Sequence, residues 1–486
     1  MSTHVLDRAA PATHRPRTGS AVAGLLSFAW FAWLGLARWN VGRSGAYDLG
    51  VFAQSAQSWA SGRLPYSAIR GLPLLGEHFS PVTALWGAAW WVWPDPRALI
   101  VVQAVPLALG VAVVHALARR HLGPPSAAVV AVLAAGSYGV VNVARLDVHE
   151  VAFAVPLIAL ACAALVERRL TAACAWSLPL LLVKEDQGPT ICAVALVAFL
   201  LGRGRERLVA VATVLLAAAG TVAAFAVIAW RNPDHEVPLF AIRFSGEAAA
   251  AAPLTWSADG APRLELVVLL LVTGGLVWVR SPVAFVVVPT LAWRLISPYD
   301  SYWSPRFHYD GVLMPVVFVA LVDVLRRLRR ARAAATAVVA VLSLAASTVT
   351  YLTANYVANP FSLDTWRPSA ATRDLLAVSR DLPAGALVAA DNGAGPYFVT
   401  RHTVRVFSNV GAVDADWVVV DLRIDGTSAT REGKLALVAE LGARPDVEVV
   451  RRGQAVALRM PCRGPVWLPE AAGNPPLPAP VWVTGC

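Results

Sequence analysis

The sequence predicts an all-α polytopic membrane protein of about eleven transmembrane helices, with a small extracytoplasmic α/β domain near its C-terminal end. Three observations carry that expectation. Apolar residues make up 57% of the 486-residue chain and charged residues 15%, against roughly 25% charged in soluble domains. From Ala21 to Tyr351 one apolar stretch follows another, several near the ~20 residues that cross a bilayer. Beyond Tyr351 the apolar runs shorten to strand length and alternate with helical patterns.

Residues 1–20 are polar and basic and read as a cytoplasmic tail. The first apolar segment, Ala21 to Ala37, lacks a small-residue cleavage site followed by soluble chain, so it is expected to stay as the first helix. Within the membrane domain, residues 21–352, basic clusters between apolar segments mark the cytoplasmic side. They are Arg8/Arg15/Arg17, Arg119/Arg120, Arg168/Arg169, Arg203/Arg205/Arg207, Arg280, and Arg326 through Arg332. Placing all six inside gives spans 21–38, 98–118, 124–142, 151–166, 171–183, 189–202, 208–230, 264–279, 282–297, 312–325 and 333–352. The net charge of +10 is thereby explained as topology signal rather than as a nucleic-acid patch, and no nucleic-acid partner is expected.

The first outer loop, residues 39–97, contains one apolar segment that does not cross. Pro81 to Trp93 is too short for a straight span and carries Trp86, Trp90, Trp91 and Trp93, a residue type enriched at the bilayer interface. It is expected to lie on, or dip into, the outer leaflet, with Ser80 as N-cap and Pro81 at the first helical position.

Residues 353–460 form the expected α/β domain, with strands at Ala386–Ala390, Thr403–Phe407, Trp417–Leu422 and Val447–Val450 and helices near Ala371–Ser379 and Lys434–Leu441. The proline-rich tail 461–486 is expected to be extended. Cys162, Cys174 and Cys192 fall in apolar segments and read as packing residues, while Cys462 and Cys486, outside the cytoplasm, are expected to pair.

Conspicuous polar sequence gathers in the loops opposite the arginines. YDLGVF contains Asp48, GEHFSP contains Glu77 and His78, and RLDVHE contains Asp147, His149 and Glu150. KEDQG adds Lys184, Glu185 and Asp186, and RFHYDG adds Arg306, His308 and Asp310. Each has a plain structural reading: Asp48 as N-cap of a helix whose Leu49, Phe52, Ala56 and Trp59 share a face and which Gly62 ends, Glu77 and His78 as solvated loop residues, Lys184 to Asp186 as an interfacial charge cluster, Arg294 as a residue snorkelling from its span, Arg306 as partner of Asp310. Their placement on one side is what independent structural roles do not explain. Such a face suits a substrate with a charged head and a lipid tail.

In this order the motifs YDLGVF, GEHFSP, LDVHE, KED and RFHYDG resemble the bacterial predicted membrane protein family known as domain of unknown function 2079. The likeness covers about residues 40 to 460. That family is grouped with the C-type (GT-C) glycosyltransferases, which take sugars from polyprenyl-phosphate carriers on the outer side of the membrane. The resemblance implies that Asp48, in the first outer loop, is the catalytic carboxylate. Where many superfamily members have an acidic pair, Asp48 is followed by Leu49, so a second carboxylate would come from Glu77 or Asp147. Val148 also departs from the aromatic residue common in the family.

The chemistry asks for a carboxylate to take the acceptor proton and cations to stabilise the leaving phosphate. Asp48 suits the first role; Lys184, Arg294 and Arg306 suit the second. Glu77, His78, Asp147, His149, Glu185, Asp186, His308 and Asp310 are supporting polar candidates toward a glycan, lipid or protein acceptor of the envelope. The histidines with Asp147 also suit a divalent ion, but their spacing matches no recognised metal motif, and no metal or other cofactor is assigned. A transporter or lipid-linked-sugar flippase would place ionisable residues near the bilayer midplane. Here Glu265, Arg294 and Asp323 fall near span ends, although Pro106, Pro156 and Pro179 interrupt helices. A non-catalytic outer-face receptor is the third alternative.

Overall fold

The computed structural model describes residues 16–232, 260–297, 300–328, 330–353, 359, 361–407, 413–423 and 430–466. The expected Cys462–Cys486 bond, most of the tail and the Arg8/Arg15 cluster lie outside what is described.

Helices begin where their sequences supply start signals. Pro96–Leu122 is preceded by Asp95, whose carboxylate accepts from the Arg97 amide at 2.9 Å, and Pro124–Ala135 opens on two prolines. Pro16–Asn40 packs along Pro96–Leu122 with glycine at the closest approach: a Cβ on Gly35 would lie 2.4 Å from Ile100. Every residue of Met314–Leu325 is buried, which makes this the central helix of the bundle. Arg205–Arg231 instead exposes Leu208, Leu215, Leu216 and Val222, the surface expected of a lipid-facing helix.

This is a multi-pass helical membrane architecture, and its crossings are less uniform than the sequence suggests. Five helices, Thr18–Asn40, Pro96–Leu122, Arg205–Arg231, His308–Leu325 and Arg332–Leu352, are long and apolar enough to cross. A sixth is assembled from Pro124–Ala135 and Tyr138–Arg145, bent by 48° at Gly136–Ser137. Glu150–Val166, Leu170–Leu182 and Pro282–Ile296 are shorter apolar helices, and Gly188–Leu201 and Gly260–Thr273 have 14 residues each. All eleven segments are thus helical, but a count of eleven crossings does not follow from their lengths. Proline and glycine break several into α and 3-10 pieces, as at Pro179 and Pro282.

Pro81–Trp93 is likewise helical and short, Ala84–Val92 after a 3-10 turn. Ser80 occupies the N-cap position before Pro81, yet its side chain makes no cap bond; its carbonyl accepts from the Thr83 amide and hydroxyl instead. Trp86 and Trp90 are buried in the protein and Trp91 is 78% exposed, so only one face of this helix is free.

The arginine clusters meet at one end. Arg120 and Arg169 both pair with Glu167, Arg326 and Arg327 with Asp323, and Arg332 reaches the Leu122 carbonyl. The polar motifs and the C-terminal domain occupy the other end.

A small hairpin, β1 (Tyr66–Ser67) with β2 (Leu72–Pro73), lies in the first loop. The C-terminal domain is a five-stranded mixed sheet of β3 (Leu387–Ala390), β4 (Thr403–Val406), β5 (Val413–Asp421), β6 (Glu448–Arg452) and β7 (Ala455–Val466), in the order β4-β3-β5-β7-β6. β3 is parallel to β4 and β5; β7 is antiparallel to β5 and β6. Helices Ala370–Asp381 and Arg431–Gly442 are capped by Ser369 and Thr430 through their N3 amides. Alternation sorts the sheet's side chains. Ala389, Val418, Val420 and Leu458 pack on Leu437 and Leu441, while Val388, Val404, Trp417 and Val419 share a core with Leu49, Ala53, Trp86 and Ile100 of the first loop and membrane helices. The domain is therefore packed onto the loop that carries Asp48. The last strand also runs through Pro461 to Val466, past the position 460 where the sequence pattern places the end of the domain.

Candidate functional site

Asp48 sits in a π-helical turn, Ala46–Gly50, that runs directly into Val51–Ala60. The N-cap positions of these two elements are Gly45 and Gly50, neither with a side-chain cap bond, so Asp48 is not a helix cap. Leu49 and Ala56 are buried behind it and Gly62 ends the helix at positive φ. The partly exposed Asp48 carboxylate takes no hydrogen bond and makes no ion pair among the described residues. Burial raises its pKa above the ordinary value, Asp147 and Glu150 push the same way, and His149 and Arg38 oppose them.

The RLDVHE loop lies against this turn. Asp147, at a left-handed φ of 66°, accepts from the Gly45 amide at 2.9 Å and lies 3.3 Å from Arg38 Nε. Its other oxygen, Oδ1, is buried without a hydrogen-bond partner among the described residues. Gln103 fastens the loop: its amide nitrogen donates to the carbonyls of Val143 and Asp147, and its oxygen accepts from the His149 amide. His149 Nε2 donates to the Leu146 carbonyl at 2.7 Å, and its ring stacks on His308 with centroids 3.6 Å apart. Two more buried groups tie in the RFHYDG loop, Asn142 to the Pro305 carbonyl and Arg145 to the Arg306 carbonyl.

Glu77 and His78 are not solvated loop residues. Glu77 pairs with Arg70, and His78 Nδ1 hydrogen-bonds Glu185 at 2.8 Å, while Glu185 also accepts from the Phe79 amide. Burial works to raise the Glu185 pKa, but His78 and Lys184 overcome it and hold the carboxyl below its ordinary value. Lys184 is buried and paired with Glu150, and Asp186 accepts from Gln187.

Two arginines exchange their expected positions. Arg294, expected to snorkel outward, is fully buried and turns inward, donating to both Asp310 oxygens and to the Tyr302 carbonyl. Arg306, expected to pair with Asp310, is exposed, and its guanidinium has no partner among the described residues. The physical reason is local: His308–Asp310 is a 3-10 turn, so positions 306 and 310 do not face each other as they would on an α-helix.

Among the described residues no group of three His, Cys, Asp or Glu side chains is arranged to hold a metal ion. Sequence reasoning missed Arg38, Gln103, Asn142, Arg145 and Asn392. A glutamine inside an apolar span and an arginine at the end of another were visible signals for the first two; Asn392, more than 300 residues from Tyr47, gave none.

The family's sequence profile, described as a predicted membrane protein, matches residues 43–441. The chain belongs to the DUF2079 family. No curated protein matches the sequence. The fold is similar to that of the crystal structure of ArnT from Cupriavidus metallidurans bound to undecaprenyl phosphate, with a TM-score of 0.51 at 15% identity over 91% of this chain and 98% of that one. Its apo state gives a TM-score of 0.49 at 16% identity over the same shares. The likeness to the undecaprenyl phosphate-bound structure is one of fold.

Proposed function

We propose that this DUF2079 protein transfers a sugar from a polyprenyl-phosphate carrier to a hydroxyl acceptor of the cell envelope, on the outer face of the plasma membrane, with the N-terminus cytoplasmic. One observation carries the reading. Among the motif carboxylates, Glu77, Asp147, Glu150, Glu185, Asp186 and Asp310 are each engaged by a cation or hydrogen-bond donor, and Asp48 alone is left free among the described residues. A partly exposed carboxylate of raised pKa, free among the described residues, is suited to take a proton.

In the proposed reaction the acceptor oxygen attacks the anomeric carbon while Asp48 takes its proton. The bond from that carbon to the carrier phosphate oxygen breaks, and the phosphate leaves with the bonding electrons. Arg306, exposed and without a partner among the described residues, is the cation suited to receive that charge; Lys184 would have to leave Glu150 to contribute, and Arg294 would act by holding Asp310 and the 302–310 loop. An apolar groove of about 580 Å³ lined by Gly188, Cys192, Leu196, Ala217, Thr221 and Phe285 starts at the end of the Lys184–Gln187 motif, where a polyprenyl tail would enter from the bilayer. The undecaprenyl phosphate bound to the fold neighbour supports that lipid class. The bent pair Pro124–Ala135 and Tyr138–Arg145 favours a second reading, a lipid-linked-sugar flippase.

Mass spectrometry of lipid-linked sugars in cells with the protein, without it, and with an inserted Asp48→Asn variant tests the proposal. A lipid-linked sugar that accumulates on the outer leaflet in the last two supports transfer. Accumulation on the inner leaflet favours the flippase, and unchanged lipids in the variant overturn the role of Asp48.

A further inference from the structure

The three backbone amides that precede Asp48 are each held by a side chain or carbonyl from elsewhere. Gly45 N–H donates to Asp147 at 2.9 Å, Ala46 N–H to the Asn392 carbonyl at 2.8 Å, and Tyr47 N–H to Asn392 Oδ1 at 3.1 Å. Two of the three restraints thus come from one residue of the C-terminal domain. We propose that Asn392 is a positioning residue of the transfer site, fixing the turn that presents Asp48, and that the C-terminal domain is therefore a working part of the site rather than an appended module. The inference rests on the reading of Asp48 as the base.

The loop that carries Asn392 is built to be rigid. The neighbouring Asp391 is fully buried; its Oδ1 accepts from the amides of Gly393 and Ala394 and its Oδ2 from the amide of Asp421 and the ammonium of Lys434. Lys434 is itself fully buried and also donates to the Asp421 carbonyl at 2.8 Å. On the other side Gly395 lets the loop close on the turn, since a Cβ there would lie 2.7 Å from the Ala46 Cβ. Beyond these contacts, Tyr397 donates to the Trp39 carbonyl, and Gln54 and Gln57 donate to the carbonyls of Val404 and Val399. A rigid chain of contacts therefore runs from Lys434 through Asp391 and Asn392 to the backbone of Tyr47.

The four groups that hold the Asp391 carboxylate do not include the residue 392 side chain, which is therefore the position to vary. Alanine removes the acceptor for the Tyr47 amide. Aspartate keeps an acceptor and adds a negative charge near Asp48, whose charged neighbours are His149, Asp147, Arg38 and Glu150. The full-length protein in nanodiscs is assayed with the lipid-linked sugar extracted from cells lacking it. Asn392→Ala should lower kcat about 100-fold, as displacement of a reacting group does, with KM unchanged and with faster hydrogen exchange confined to the segment around Tyr47. Asn392→Asp should restore most of kcat while moving the acid limb of the kcat–pH profile upward.

Wild-type kcat per folded molecule in the alanine variant, or an unmoved pH profile in the aspartate variant, would overturn the inference. Asp48→Asn, measured in parallel, separates the two ideas. Retained transfer there removes the base itself, whereas loss there combined with a normal Asn392→Ala enzyme removes only the positioning role.

Discussion

Asp48 and Asp391 lie in loops that touch, and they are opposites. Both carboxyls sit above their ordinary pKa because of burial. Asp391 spends its oxygens on three backbone amides and one ammonium, while Asp48 spends none among the described residues. The comparison teaches that a displaced pKa does not separate the carboxylate proposed to react from a structural one. The count of satisfied lone pairs does. A carboxylate that already accepts four hydrogen bonds has nothing left for a substrate proton, and its neighbours would be orphaned if it moved.

Substitution at each position should break the comparison in opposite ways. The largest effect is expected for Asp48→Asn, which should lower transfer about 10²- to 10⁴-fold, the range for loss of a general base, with insertion and thermal unfolding unimpaired. Near-normal transfer would pass the role to Glu77, paired with Arg70, or to Asp147, whose Oδ1 is also unpartnered among the described residues. Next comes Asp391→Ala, which strands the Lys434 ammonium in the interior and should cost about 3–5 kcal/mol of stability. Protease protection of the C-terminal domain measures it, and full protection would mean that Lys434 finds another partner.

Smaller effects sharpen the same contrast among the cations. Arg306→Gln should weaken donor use by roughly 10-fold, the worth of one charge-assisted hydrogen bond, seen in KM for the extracted lipid. A KM equal to that of wild type would remove Arg306 from the phosphate site. The smallest effect concerns stability against pH at position 48. A carboxyl whose pKa is raised by folding stabilises the fold below its unfolded pKa, and that contribution is lost as pH rises through the folded value. Asp48→Asn should therefore be slightly more stable than wild type at neutral pH, with the difference closing below the ordinary value of 3.8. A variant less stable than wild type at pH 7 would show that the carboxylate is a structural group after all.

Much of the architecture was legible because hydrophobic runs and arginine clusters are long-range patterns written in one dimension. Each of the eleven apolar runs is helical among the described residues, and the motifs located the polar end. Crossing number was not legible, because a run's length does not reveal where proline or glycine bends it, as at Gly136–Ser137. β7 was missed for a related reason. Pro461, Gly464 and Pro465 argue against a strand, yet they lie beyond Arg459, where β6 has ended and only β5 flanks the chain. At the site the residue types were readable and the pairings were not. Arg306 and Asp310 have a helical spacing that a 3-10 turn nullifies, and Arg294 reaches Asp310 only because two separate segments pack together.

The bond from Tyr47 to Asn392 spans 345 positions of sequence. During synthesis the ribosome delivers the first loop long before it delivers the residue that holds it, and Lys434, which locks Asp391, comes later still. The turn bearing Asp48 thus waits, unfinished, until those later residues are made, and contacts this distant are the slow ones to form. A chain arrested or clipped before residue 392 would insert its helices and still lack the two bonds that Asn392 gives the Asp48 turn, so that the turn is completed only in molecules extended past that residue.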